Sequence, residues 1–227
     1  MPTALVTGAN RGLGLGLARA LVDDGWSVIA AVRTVSPELE ALDDQGVEIV
    51  RLDLCDDDEL SALPARLANR PIDVLINNAG RMARPGHQGF GDFDRALWHD
   101  LFDINLFTPM RLAELLLPSL EQTDRPRIVT LSSELGSMEL NTHGGLYAYR
   151  ASKAAVNAIT RSMALDLAER GVIAVVLHPG WVRTDMGGKN AELDIETSVR
   201  GMLRVVENLT AADSGKFIAW DGRELPW

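Results

Sequence analysis

The chain has 227 residues, of which 46% are hydrophobic and 24% charged, with a formal net charge of −10 at pH 7 and a pI near 4.9. That length suffices for one large α/β domain with a substantial core. The acidic balance argues against nucleic acid and against an anionic membrane surface, both of which call for a basic face. The single cysteine, Cys55, excludes an intrachain disulfide; it reads as a small buried apolar side chain and suits a reducing compartment such as the cytoplasm. No apolar run reaches the ~18 residues of a membrane span, and no basic leader with a cleavage site precedes the first strand.

Ala4-Leu5-Val6 reads as a buried strand. It stops at Thr7-Gly8-Ala9-Asn10-Arg11-Gly12-Leu13-Gly14, and an amphipathic helix follows through about Val22. Strand, glycine turn and helix in this order form an anion site. Backbone N–H groups and the positive end of the helix meet a pyrophosphate, and glycines let the backbone come close. The spacing is Gly-x-x-x-Gly-x-Gly rather than the commoner Gly-x-Gly-x-x-Gly. Trp26 to Val32 is the second strand. Where NAD-binding folds place an acid for the ribose 2′-hydroxyl, this chain has Val32 and Arg33. A guanidinium there suits a 2′-phosphate, and Arg11 is a second cation within the same reach. The pattern favours NADP(H) over NAD(H); the bland alternative is two solvated arginines.

Val47 to Leu52 is the third strand, ending at Asp53-Leu54. Asp53 is suited either to the adenine amino group or to capping a helix that starts near Asp56. The fourth strand, Ile72 to Ile76, ends in Asn77-Asn78-Ala79-Gly80. Small and amide residues suit a strand end that passes under a flat cofactor and needs its backbone groups tied down. Arg81 to Gly91 reads as a loop, and Asp92 to Leu117 as one long helix. Inside it Asn105 is polar among apolar neighbours, either structural or holding a water, and Pro109 forecasts a kink or irregular turn close by.

Arg127 to Leu131 is the fifth strand, ending in Ser132-Ser133. Glu134 to Leu146 reads as a loop over the ligand crevice. The next helix runs to about Ala168 and carries Tyr149 and Lys153 one turn apart on one face. Such a pair is common by chance. In a site it has chemical meaning, because a cation beside a phenol is expected to lower its pKa from about 10 towards neutrality. Val172 to Leu177 is the sixth strand, followed by His178-Pro179-Gly180-Trp181-Val182-Arg183-Thr184. Asp185 to Leu193 reads as a mobile lid, Ile195 to Leu209 as a helix and Lys216 to Trp220 as the last strand. The alternation gives one domain over residues 1–227. Its expected architecture is a Rossmann-type, doubly wound parallel sheet of about seven strands with helices on both faces.

His87, His99, His143 and His178 make no metal-ligand spacing. No Gly-x-Ser-x-Gly elbow is present, and no Gly-Lys-[Ser/Thr] follows the glycine loop. Met138, Leu140, Trp181 and Met186 suit either a pocket wall or core packing.

Taken together, Thr7-Gly8-x-x-x-Gly12-x-Gly14, Asn77-Asn78-Ala79-Gly80, Asn105, Ser133, Tyr149-x-x-x-Lys153 and Pro179-Gly180 resemble the short-chain dehydrogenase/reductase family over essentially the whole chain. The stretch Gly145-Leu146-Tyr147-Ala148-Tyr149-Arg150 and the ending from Asp213 to Trp227 resemble its branch of C-factor and sniffer-like carbonyl reductases. Ser133 and Tyr149 stand 16 positions apart, a few more than the family usually has; the extra length falls in the Gly136 to Leu146 loop.

The resemblance implies catalytic roles for Asn105, Ser133, Tyr149 and Lys153, with Ser133 preferred to Ser132. It implies cofactor contacts from Gly8, Asn10, Arg11, Gly12, Leu13 and Gly14, and from Arg33, Asp53 and Leu54. Further contacts are implied from Asn78, Ala79 and Gly80, and from Tyr149, Lys153, Pro179, Gly180, Val182 and Thr184. Tyr149 is expected to trade a proton with a small carbonyl or alcohol, Ser133 to hold its oxygen, and Asn105 to hold a water. A homodimer through the small residues Ala154 to Ile159, or a homotetramer, is implied as well. The same branch also admits a signalling protein that binds the dinucleotide without turnover.

Overall fold

Most strands are buried on both faces, so their sequences read as apolar runs rather than alternations; the edge strand Val47–Arg51, with Glu48 and Arg51 exposed, is the exception. The computed structural model describes residues 1–83 and 88–227. Its strands are β1 (Thr3–Thr7), β2 (Ser27–Val32), β3 (Val47–Arg51), β4 (Val74–Asn77), β5 (Arg127–Leu131), β6 (Ile173–His178) and β7 (Phe217–Ala219). They form one parallel sheet in the order β3-β2-β1-β4-β5-β6-β7. The order reverses between β1 and β4, which opens a crevice at the carboxyl ends of the strands. Within β1 the side chains divide between the layers. Ala4 and Val6 pack with α1 (Gly12–Asp23) and α7 (Ile195–Asn208). Leu5 packs on the opposite face with α3 (Asp57–Arg66), α5 (Thr108–Leu120) and α6 (Tyr147–Asp166). A short α2 (Pro37–Glu40), capped by Ser36, was not visible as a periodic pattern because it is a single turn.

The long helix expected from Asp92 to Leu117 is in fact three pieces. α4 (Arg95–Phe102) starts where the Asp94 carboxylate accepts from the N–H groups of Ala96 and Leu97. A π-helical segment, Asp103–Phe107, joins it to α5. Pro109 has no N–H to offer the carbonyl of Asn105 four residues back, and the ladder slips by one, with Thr108 N–H reaching Asp103 O. The irregular turn expected near Asn105 is therefore present, as a π-helical one. α4 stands apart from both main layers: Leu101, Ala83 and Ala148 form a small cluster of their own with Leu97 and Trp98.

Two local expectations are corrected. Asp56, not Asp53, caps α3, accepting from Asp58 and Glu59 N–H at 3.0 Å each; a cap must sit directly before the first helical residue, and Asp53 lies too far back. Cys55 is exposed rather than buried, because it falls in the turn between β3 and α3, where its N–H donates to the Asp53 carboxylate. Of the loop expected from Arg81 to Gly91, residues 84–87 lie outside the described residues, His87 among them. Among the described residues no helix is long and apolar enough to cross a membrane, and no group of three or more His, Cys, Asp or Glu could hold a metal ion.

Candidate active site

The crevice is a cavity of about 980 Å³ bounded by the glycine loop, the ends of β2 to β5, α6 and the segment after β6. At its floor, β1 and β4 are stapled together. Thr7 Oγ1 accepts from Asn78 and Ala79 N–H at 3.0 and 2.9 Å, and Asn78 Nδ2 donates to Thr7 O at 2.7 Å. These bonds explain the amide-rich strand end. The glycines are steric requirements. A Cβ on Gly14 would stand 2.3 Å from Gly8 O, and Gly8 itself has φ +67° with Ala79 against it. The first turn of α1 has no side-chain cap and no acidic residue, so its N–H groups face the cavity without a protein acceptor. Arg33 lies 3.5 Å from Asp53 and Arg11 2.5 Å from Asp185. All four side chains are substantially exposed, so these pairs are weak and exchangeable for a stronger anion.

On the opposite wall stand Tyr149 and Lys153, both buried and both lining the cavity. The Lys153 ammonium lies 5.9 Å from the centre of the Tyr149 ring and donates to Leu131 O at 2.9 Å. Burial pushes the phenol up to about 12, and the Ser133 hydroxyl pulls it weakly the other way. Burial also pushes the ammonium down to about 8. The expected lowering of the phenol by its neighbour is thus overturned for the protein alone: loss of hydration dominates, and the Ser133 hydroxyl is what works against it.

The two serines differ in what their hydroxyls do. Ser132 Oγ donates to Lys153 O at 3.4 Å. Ser133 Oγ accepts from Leu135 N–H at 3.2 Å, which leaves its own proton available beside the phenol. It is nonetheless Ser132 that reaches the cavity wall. The Asn105 side chain is tied to its neighbours: Oδ1 accepts from Arg81 N–H at 2.8 Å, and Nδ2 donates to Arg81 O and Ser152 Oγ. A water held by this residue would use the second lone pair of Oδ1 or the backbone carbonyl, which Pro109 leaves without its α-helical donor.

The cavity brings together the expected Gly8, Asn10, Arg11, Gly12, Leu13, Gly14, Arg33, Asp53, Leu54, Asn78, Ala79, Gly80, Tyr149, Lys153, Pro179 and Thr184. It does not include Gly180 or Val182. Val182 is buried and bridges to Leu193, while Gly180 packs under Trp220 and Leu193. Asp185 to Leu193, read as a lid, is braced by the residues just before it. Arg183 Nη1 donates to Ala191 O and Glu192 O at 2.9 Å each, and Trp181 Nε1 to Gly187 O at 2.8 Å. Arg81, Ile104 and Lys189 also line the cavity. The sequence marked none of them; only for Arg81 was there a signal, its place directly after the strand-end motif.

A cavity that pairs an open helix N-terminus with a buried Tyr-Lys couple is the site of a dinucleotide-dependent dehydrogenase. Residues 2–194 match the model of the short chain dehydrogenase family, and the chain belongs to that family. It is 45% identical over 168 residues to the C-signal of Myxococcus xanthus, an alignment covering 74% of this chain and 100% of that protein. The fold matches the carbonyl reductase Sniffer of D. melanogaster with a TM-score of 0.93, at 34% identity and 100% coverage of both chains. It matches the NADPH-bound carbonyl reductase from chicken fatty liver with a TM-score of 0.91, at 32% identity, covering 100% of this chain and 99% of that one.

Proposed function

We propose that the protein is a single-domain NADP(H)-dependent carbonyl reductase acting on small ketones, aldehydes or quinones. The observation that carries this reading is the shared cavity: the uncapped α1 terminus and Arg33 at one end, Tyr149 and Lys153 at the other. The glycine loop and α1 would hold the pyrophosphate, Arg33 and Arg11 the 2′-phosphate, and Asn78 to Gly80 the floor under the ring. Bound there, the cofactor supplies a hydride for the carbonyl carbon. Tyr149 gives the proton to the carbonyl oxygen. A phenol held at about 12 stays protonated at neutral pH, which suits a proton donor. Lys153 stabilises the charge left on the phenolic oxygen, and the free Ser133 proton steadies the substrate oxygen as charge builds.

The likeness to C-signal supports a second reading, a dinucleotide-binding signalling protein with little turnover. NADPH oxidation with a panel of aldehydes, ketones and quinones separates the two. Tyr149→Phe should lower kcat by about 10²- to 10⁴-fold while leaving NADPH affinity in place. Unchanged turnover in that variant refutes the assigned acid, and no turnover with any carbonyl leaves the signalling reading.

The acidic surface fits neither nucleic acid nor anionic lipid, and the one unpaired cysteine suits the cytoplasm. Ala154, Ala155, Ala158 and Ile159 are not fully buried on α6, and Leu165 is exposed. That small-residue face supports a homodimer.

A further inference from the structure

Ser133 opens a one-turn 3₁₀ helix, Glu134–Gly136, which rests on α6. The approach is close. A Cβ on Gly136 would stand 2.9 Å from the backbone carbonyl carbon of Lys153. The first N–H groups of a helix lack partners inside it, and here each can be traced. Leu135 N–H donates to Ser133 Oγ, and Gly136 N–H to Ser133 O at 2.8 Å. Glu134 N–H leaves its own segment and donates to His178 Nδ1 at 3.3 Å. His178 is the last residue of β6 and is buried. Its Nε2 lies 3.8 Å from the Glu134 carboxylate, so one residue meets both ring nitrogens. Because Nδ1 accepts, the neutral ring carries its proton on Nε2, towards that carboxylate. A charged ring would set N–H against N–H and lose the bond. Burial, aided by Arg223 and opposed by Asp221, holds the imidazole down at about 4, so it is neutral where the protein works.

We propose that His178 is a positioning residue for proton transfer. Its Nδ1 fixes the Glu134 backbone and thereby the direction of the Ser133 hydroxyl beside Tyr149. The inference rests on the carbonyl reductase reading above. Ser133 Oγ is held by Leu135 N–H, so the turn sets where the oxygen stands and which partners its single proton can reach. Nothing on α6 replaces this hold. Arg150 Nη1 reaches Leu135 O at 3.2 Å and Asn157 Nδ2 reaches Gly136 O at 3.5 Å. Both bind carbonyls further along the turn and leave the Glu134 N–H to the imidazole.

The test compares His178→Leu, which keeps bulk but has no acceptor, with His178→Asn, whose amide oxygen can stand near the Nδ1 position. Misplacement by about 1 Å can cost about 100-fold in rate. His178→Leu is expected to lower kcat by about 10- to 100-fold, with the NADPH dissociation constant within about twofold of wild type. His178→Asn should restore most of that loss. In a Ser133→Ala background His178→Leu should cost nothing further, because the two act through one hydroxyl. Unchanged kcat in His178→Leu, or full additivity of the two changes, overturns the proposal. Absence of turnover in the wild type, or an active Tyr149→Phe, strikes the reductase reading instead. Crystal structures then decide the positioning claim: a displaced 133–136 turn in His178→Leu upholds it, and an unmoved turn sinks it.

Discussion

Replacing Lys153 by methionine tests how far burial governs the catalytic pair. The amine is almost sealed from water and has one acceptor, Leu131 O at 2.9 Å. Burial takes its ammonium from 10.5 to about 8, which at about 1.4 kcal/mol per tenfold puts a penalty of about 3 kcal/mol on the charged form. Between those values the unfolded chain keeps the lysine proton and the folded chain sheds it, so stability rises with pH. The contribution is complete above 10.5 and is lost as pH falls through about 8. Tyr149 has the opposite slope. Its phenol moves from 10.0 to about 12, so its contribution is complete below 10.0 and is lost as pH rises through about 12. The lysine effect is therefore cleanest between about pH 8 and about pH 10, where it amounts to about 2 kcal/mol. Urea unfolding of wild type and Lys153→Met across that interval should show the difference in stability shifting by that amount in favour of wild type. Parallel curves would mean that the folded protein keeps its lysine charged, and the burial argument would fail.

Arg33→Ala removes charge-assisted bonds worth about 1.5–3 kcal/mol, so KM for NADPH should rise by about 10- to 100-fold with NADH kinetics unchanged; equal losses for both cofactors would rule out a contact to the 2′-phosphate. Gly14→Ala forces a methyl to 2.3 Å from Gly8 O and should abolish NADPH binding in titration calorimetry while circular dichroism shows the fold retained. Retained affinity would refute the close approach of the loop. Asp56→Ala strips the cap from α3 and should cost about 1 kcal/mol in urea unfolding without altering kcat.

The sheet was readable because most strands are runs of apolar residues closed by a turn signal, as with Arg127 to Leu131, whose bounds match β5. The glycine loop and Tyr149-x-x-x-Lys153 were readable because spacing alone sets their geometry. Three features were not. The slipped ladder at Asp103–Phe107 depends on a missing N–H at Pro109, which announces a disturbance but not its form. The state of Tyr149 and Lys153 depends on burial supplied by residues distant in the chain, and only the fold sums these. The link from His178 to Glu134 joins the ends of neighbouring strands 44 positions apart, and no local pattern encodes such a pairing. Val182, a position assigned by motif alone, is buried and bridges to Leu193, a pairing that no local pattern announced.

The slipped ladder also separates two mechanical bodies. α5 is built into the sheet through Leu112, Leu116 and Leu120, whereas α4 rests on Ala83 and on Ala148, the residue beside Tyr149. The cluster under α4 therefore ends on Ala148, next to the phenol in the chain, and shares no residue with the two clusters that flank the sheet. The proton donor and the nucleotide grip are thus seated on different parts of the core.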